Sequence, residues 1–126
     1  LGGHNSIFTA VFEPRIKVVV SSCGFDSFLD YKGGNIQGWV QERYMLRMGD
    51  YVGKPQDVPF DFYELVACLA PRPFLVNAPL KDANFRWDSV DRIAAAALPV
   101  LGRPWRCCIR IVNMTFQTAL ALPRMK

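Results

Sequence analysis

The chain is poor in histidine. His4 is the only one in 126 residues. Cysteine is also scarce: Cys23, Cys68, Cys107 and Cys108 form no C-x-x-C pair. A zinc site needs clustered Cys and His ligands, so none is expected. Four scattered cysteines are too few for a disulfide framework. Cys23 and Cys68 lie in apolar stretches and read as buried free thiols. No apolar run approaches the roughly 20 residues of a membrane-spanning helix, so no membrane partner is expected. Acidic residues stop at Asp91, while five basic residues follow Gly102 (Arg103, Arg106, Arg110, Arg124, Lys126). The overall charge of +4 therefore belongs to the tail. A basic arm can hold nucleic acid, but these five residues carry no phosphate-binding motif, and no nucleic-acid partner is expected.

What is present is a core. Hydrophobic residues make up 51% and charged residues 21%, which excludes a disordered chain. The length suits one domain. Gly2 to about Phe12 reads as a helix with Ile7, Phe8, Val11 and Phe12 on one face, ended by Pro14. Residues 16–22 (IKVVVSS) read as a strand buried on both faces. Residues 24–60 hold six glycines and many aromatics and read as an irregular excursion, with one helical turn around 41–48. Asp61 caps a helix from Phe62 to Leu69, with Glu64 completing a capping box. Residues 73–78 (PFLVNA) form a second strand. Asp88 caps a helix to Leu101, and Gly102 stops it. Strand, helix, strand, helix implies a parallel sheet with covering helices. Two such strands do not complete a sheet, which predicts unpaired edges and poor solubility.

The glycine pair at the first helix, LGGHN, lets backbone approach a strand or an anion closely. The stretches RIKVVVSSCGF, PFDFYELVACLAPRP and FLVNAPLKDANF resemble bacterial α/β-hydrolases of the dienelactone-hydrolase, acetyl-xylan-esterase and prolyl-oligopeptidase-like group. The resemblance covers roughly residues 1–101. It implies part of an α/β-hydrolase fold over 1–102, joined to an atypical tail over 103–126. It implies a serine hydrolase acting on carboxylic esters, with small-molecule or carbohydrate ester substrates and no cofactor or metal. Leu1-Gly2 matches the x-G after the family's nucleophilic serine, which would directly precede Leu1. The Leu1 N–H would then serve the oxyanion hole. Asp82, in the loop after the second strand, matches the triad acid.

Other residues read as structural. Asp88 is better placed as a helix cap, and Asp26 as a loop cap. Ser21, Ser22 and Cys23 pack a strand end. His4 packs in its helix rather than acting as a base. Phe25, Phe28, Tyr31, Trp39, Tyr44 and Tyr51 line a cleft or fill the core.

The family's histidine loop has no counterpart in the tail. The genetic code admits a frameshift there. Read from the third base of the Cys107 codon, one permitted back-translation gives Leu-Tyr-Pro-Asp-Cys-Glu-His-Asp-Phe-Pro. Its histidine arises across Asn113 and Met114. In-frame, the tail reads as a strand over 107–112 and a helix over 115–122. With nucleophile and base both outside the chain, these 126 residues are expected to be inactive. The alternative is a non-catalytic α/β module, or pseudoenzyme, with a basic tail.

Overall fold

The computed structural model describes residues 1–101 and 109–112. Helix α1 spans Gly2–Phe12, strand β1 Val19–Ser22, helix α2 Phe62–Ala67, strand β2 Phe74–Asn77, helix α3 Trp87–Leu101 and strand β3 Ile109–Val112. The three strands form a parallel sheet in the order β1-β2-β3. Val19 pairs with Phe74 and Ser21 with Val76, so these four buried residues share one face. The core lies on that face: Ile7 and Ala10 of α1, Phe62 and Val66 of α2, and Val90, Ile93 and Ala97 of α3. β3 falls within the in-frame strand reading of the tail and adds a third strand to the two expected. The expected glycine stop at Gly102, the 115–122 helix and the frameshifted histidine at Asn113–Met114 lie outside the described residues.

Local chemistry explains the joints. The Ser21 hydroxyl donates to the Gly3 carbonyl at 2.8 Å. A Cβ on Gly3 would lie 2.5 Å from the Ser22 carbonyl oxygen and 2.9 Å from the Gly24 Cα. The first turn of α1 thus seats directly on the end of β1, and only glycine permits it. Arg72 donates to the Ala10 carbonyl at 2.6 Å and the Leu69 carbonyl at 3.1 Å. One guanidinium thereby satisfies open carbonyls near the ends of both α1 and α2.

Several expectations need correction. β1 starts at Val19, and Val18 and Val20 are 60% and 52% exposed. The strand is covered on one face only, because all three helices contribute to the core on the Val19–Ser21 side. Phe12 is 82% exposed; the buried stripe of α1 is His4, Ile7 and Ala10. The excursion contains four short 3₁₀ turns rather than one, over Tyr31–Gly33, Ile36–Trp39, Leu46–Tyr51 and Pro55–Asp57. Asp88 is not a cap: α3 starts at Trp87, and the Asp88 carboxylate pairs with Arg86 and Arg92 at 2.7 and 2.9 Å. Those guanidiniums hold it well below the usual carboxylate range. Cys23 and Cys68 are exposed, not buried. The capping box at Asp61 and Glu64 forms as expected, on a helix ending at Ala67. No helix among the described residues is long and apolar enough to cross a membrane.

Candidate functional site

The carboxyl end of β1 runs straight into Cys23, whose φ is +49°. The Cys23 N–H donates to the Asn77 carbonyl at 3.0 Å, which carries the β1–β2 ladder one step past the strand. The Asn77 amide donates to the Ser22 hydroxyl at 2.9 Å. This rigid corner borders two adjoining cavities. One, of about 390 Å³, is lined by Leu1, Cys23, Gly24, Lys32, Arg43 and Tyr44 among others. That volume lies within the range of small-molecule sites. The second holds only about 10 Å³ and is lined by Cys23, Gly24, Asn77, Asp82 and Phe85. In a parallel sheet, the carboxyl ends of the strands are where ligands bind.

Asp82 is half-buried in the loop after β2. Its N–H donates to the Pro79 carbonyl at 3.2 Å. Its Oδ1 accepts from the Asn84 and Phe85 N–H groups at 2.8 and 3.2 Å. This is an Asx turn, which aspartate favours because its side chain reaches its own backbone two residues on. Both of these bonds fall on Oδ1. The Cys23 thiol, exposed but partly desolvated at the strand end, is pushed up first by that desolvation and further by the neighbouring Asp82 carboxylate. Asp82 and the β1 corner are therefore neighbours. Leu1 sits at the N-cap of α1 on the wall of the larger cavity. Leu1 and Asp82 line different cavities, which share Cys23, Gly24 and Phe85.

Asp26 has a larger role than a loop cap. It is fully buried, and its Oδ2 accepts from the Arg86 N–H at 3.1 Å. Its Oδ1 is buried without a hydrogen-bond partner among the described residues. Burial raises its pKa. The bond to Arg86 ties the end of the Asp82 loop to the end of β1. Nothing in the sequence marks this, because residues 26 and 86 meet only through the fold.

His4 is 6% exposed. Its ring stacks on Trp39 at 4.9 Å and meets Phe8, Tyr44 and Phe62 within 6 Å. Its Nδ1 has no partner among the described residues. Burial lowers its pKa to about 4. It is a neutral packing residue. Ser21 is likewise structural through its bond to Gly3. Of the aromatics, Tyr31, Trp39 and Tyr44 line the larger cavity and Phe25 the small one. Phe28 is core, and Tyr51 packs against it.

Sequence reasoning overlooked the cations of the larger cavity, Lys32 and Arg43. Lys32 has φ +47° and ψ 39°, a left-handed conformation costing about 1 kcal/mol for a residue with a Cβ. Its position before Gly33-Gly34 was the available signal. Among the described residues, no group of three His, Cys, Asp or Glu could hold a metal ion.

The fold is similar to that of solved esterases. A glucuronoyl esterase from Solibacter usitatus matches with a TM-score of 0.64 and 21% identity, over 79% of this chain and 27% of its own. The glucuronoyl esterase catalytic domain from Hypocrea jecorina matches with a TM-score of 0.65 and 18% identity, over 89% and 35%. A carbohydrate esterase family 15 glucuronoyl esterase from Caldicellulosiruptor kristjansonii matches with a TM-score of 0.64 and 19% identity, over 94% and 38%. The chain has part of an α/β fold shared with these enzymes and spans about a third of their length. No protein-family model matches the sequence, and neither does any curated protein.

Proposed function

We propose that the chain is part of a serine hydrolase of small-molecule or carbohydrate carboxylic esters. Asp82 is the triad acid, and the Leu1 N–H is one oxyanion donor. The observation that carries this reading is the meeting of the α1 N-terminus and the Asp82 loop at the Cys23–Gly24 corner. The Asx turn holds the carboxylate still, as an acid that orients an imidazole requires. The attacking serine directly precedes Leu1 in the intact enzyme, and the base lies outside this reading frame. His4, the sole histidine of these 126 residues, is neutral and enclosed by aromatic rings, so this chain alone turns over no ester. Glucuronoyl esters are the first substrates to try, since the similar structures are enzymes of that name. Acetylated sugars and dienelactone follow from the sequence resemblance.

The test is made in the intact enzyme. Asp82→Asn lowers kcat by about 10⁴-fold, the scale expected when a triad acid is neutralised. Asp26→Asn, a buried control that keeps the bond to Arg86, changes kcat less than about tenfold. An Asp82→Asn enzyme with kcat near the parent's contradicts the assignment.

A further inference from the structure

The Asp82 loop has little packing to hold it. From Ala78, just after β2, to Ser89 in α3, no residue in between is buried. Leu80, Lys81, Ala83, Asn84 and Arg86 are all exposed. Phe85 is half-buried, its ring 5.8 Å from those of Tyr31 and Trp39. The loop's backbone bonds are mostly its own. The Asp82 N–H donates to the Pro79 carbonyl, and the Asn84 and Phe85 N–H groups to Asp82 Oδ1. Among the described residues, only one backbone group of residues 79–86 is held by a distant part of the chain. It is the Arg86 N–H, which donates to Asp26 Oδ2 at 3.1 Å.

The post at the other end of that bond is rigid. Asp26 is fully buried, as are Phe25 and Phe28. The Ser27 hydroxyl donates to Asp61 Oδ2 at 2.7 Å, and the Ser27 N–H reaches the buried Ser89 Oγ at 3.3 Å. Residues 25–28 thus grip the far end of the Asp82 loop at Arg86 and the first turn of α3 at Ser89. Three successive N–H groups, of Asn84, Phe85 and Arg86, end on two carboxyl groups, first Asp82 and then Asp26. Peptide units are planar, so pinning the third restricts the two that point at Asp82. Without that bond, the Asx turn would swing as a unit on an exposed loop. A triad acid has to be held within about 0.5 Å.

From this we infer that Asp26 is a positioning residue: by holding Arg86 it sets where the Asp82 carboxylate stands. Asp26 itself lines neither cavity, so it acts through Asp82 alone. What Asp82 then does rests on the esterase reading, whereas the tether is measured without turnover.

The first arm of the experiment is amide hydrogen exchange of the 126-residue chain, followed by NMR. In the parent, the Asn84, Phe85 and Arg86 amides are expected to open together, with protection within about threefold of one another. Asn84 and Phe85 opening at least about tenfold more readily than Arg86 would overturn the inference, and this comparison decides even if a variant does not fold. Asp26→Ala is expected to speed exchange at all three by at least about tenfold, while the β2 amides keep their protection. Asp26→Asn keeps an acceptor oxygen in place and restores parental protection. Unchanged protection at Asn84 and Phe85 in Asp26→Ala would also overturn the inference. The second arm is kinetic, in the intact enzyme. Asp26→Ala is expected to lower kcat about 10²-fold, the scale of a misplacement of about 1 Å, with KM within about threefold. Asp26→Asn recovers most of that loss. In an Asp82→Asn background, Asp26→Ala is expected to cost nothing further. An equal loss in both backgrounds would make Asp26 merely structural and overturn the inference. Release of the loop in Asp26→Ala, with no effect of Asp82→Asn on kcat, would count against the esterase reading alone.

Discussion

The excursion between residues 24 and 60 and the strand before it end in opposite environments. The strand carries three consecutive valines, yet Val18 and Val20 stand more than half exposed. The excursion is glycine-rich and has no long element, yet Phe25, Phe28, Ile36, Trp39 and Met48 are each at most 4% exposed. Regularity does not decide burial here. The excursion folds because its aromatic rings pack on one another and on Phe62, and because Asp61 ties its two ends together. The Asp61 carboxylate accepts from the Ser27 hydroxyl at 2.7 Å and the Phe28 N–H at 3.1 Å, besides capping α2. The strand is hydrophobic on both faces, but the described helices cover only one. Sequence hydrophobicity reports what a segment can bury, and the neighbours decide what it does bury.

The sharpest way to break this contrast is at its hub. Phe62 is fully buried and lies within about 6 Å of His4, Phe8, Phe25, Phe28 and Trp39. Phe62→Ala should lower stability by about 3–5 kcal/mol in a urea titration. A loss under 1 kcal/mol would mean the excursion does not depend on this cluster.

Next comes acid. His4 falls from 6.5 in the unfolded chain to about 4 in the fold. Between those values the unfolded state binds the extra proton, so stability rises with pH. The His4 contribution is complete above pH 6.5 and lost as pH falls toward 4. The full change is about 3 kcal/mol, at roughly 1.4 kcal/mol per unit. His4→Gln should flatten that limb of the thermal-midpoint profile. The buried Asp26 and Asp61 act with the opposite sign. Their raised pKa values favour the folded state below 3.8 and lose that contribution as pH rises through the folded values. Asp26→Asn should remove part of this second limb only.

A smaller effect is expected where the excursion is tied. Asp61→Ala removes a helix cap and the bonds to Ser27 and Phe28, and should reduce stability by about 2 kcal/mol. Smallest of all is the bare strand face. Val20→Thr should change stability by less than about 0.5 kcal/mol, since the side chain is half in water, while improving solubility. A loss above 1 kcal/mol would show that Val20 is covered.

Much of the scaffold was legible because it rests on local rules. The Asp61–Glu64 box, the glycine pair of α1 and the apolar run of β2 each signal through neighbouring residues. The Asp82 loop was legible only through family resemblance, since an aspartate in a loop is an ordinary turn former. What stayed hidden depends on distant residues meeting. Asp26 reaches Arg86 across 60 positions, Arg72 reaches the end of α1 across 62, and Lys32 and Arg43 share a cavity through the path of the excursion. Asp88 misled because a carboxylate before a helical pattern resembles a cap. A helix start two residues earlier than that cap requires turned it into an ion-pair partner.

The most direct test of the esterase account is the sequence of the encoding DNA on both sides of these codons. The account predicts a Gly-x-Ser triplet directly before Leu1. It also predicts a His-Asp pair in the shifted frame across Asn113, Met114 and Thr115. An in-frame start directly before Leu1, with no histidine in the shifted frame, would contradict it.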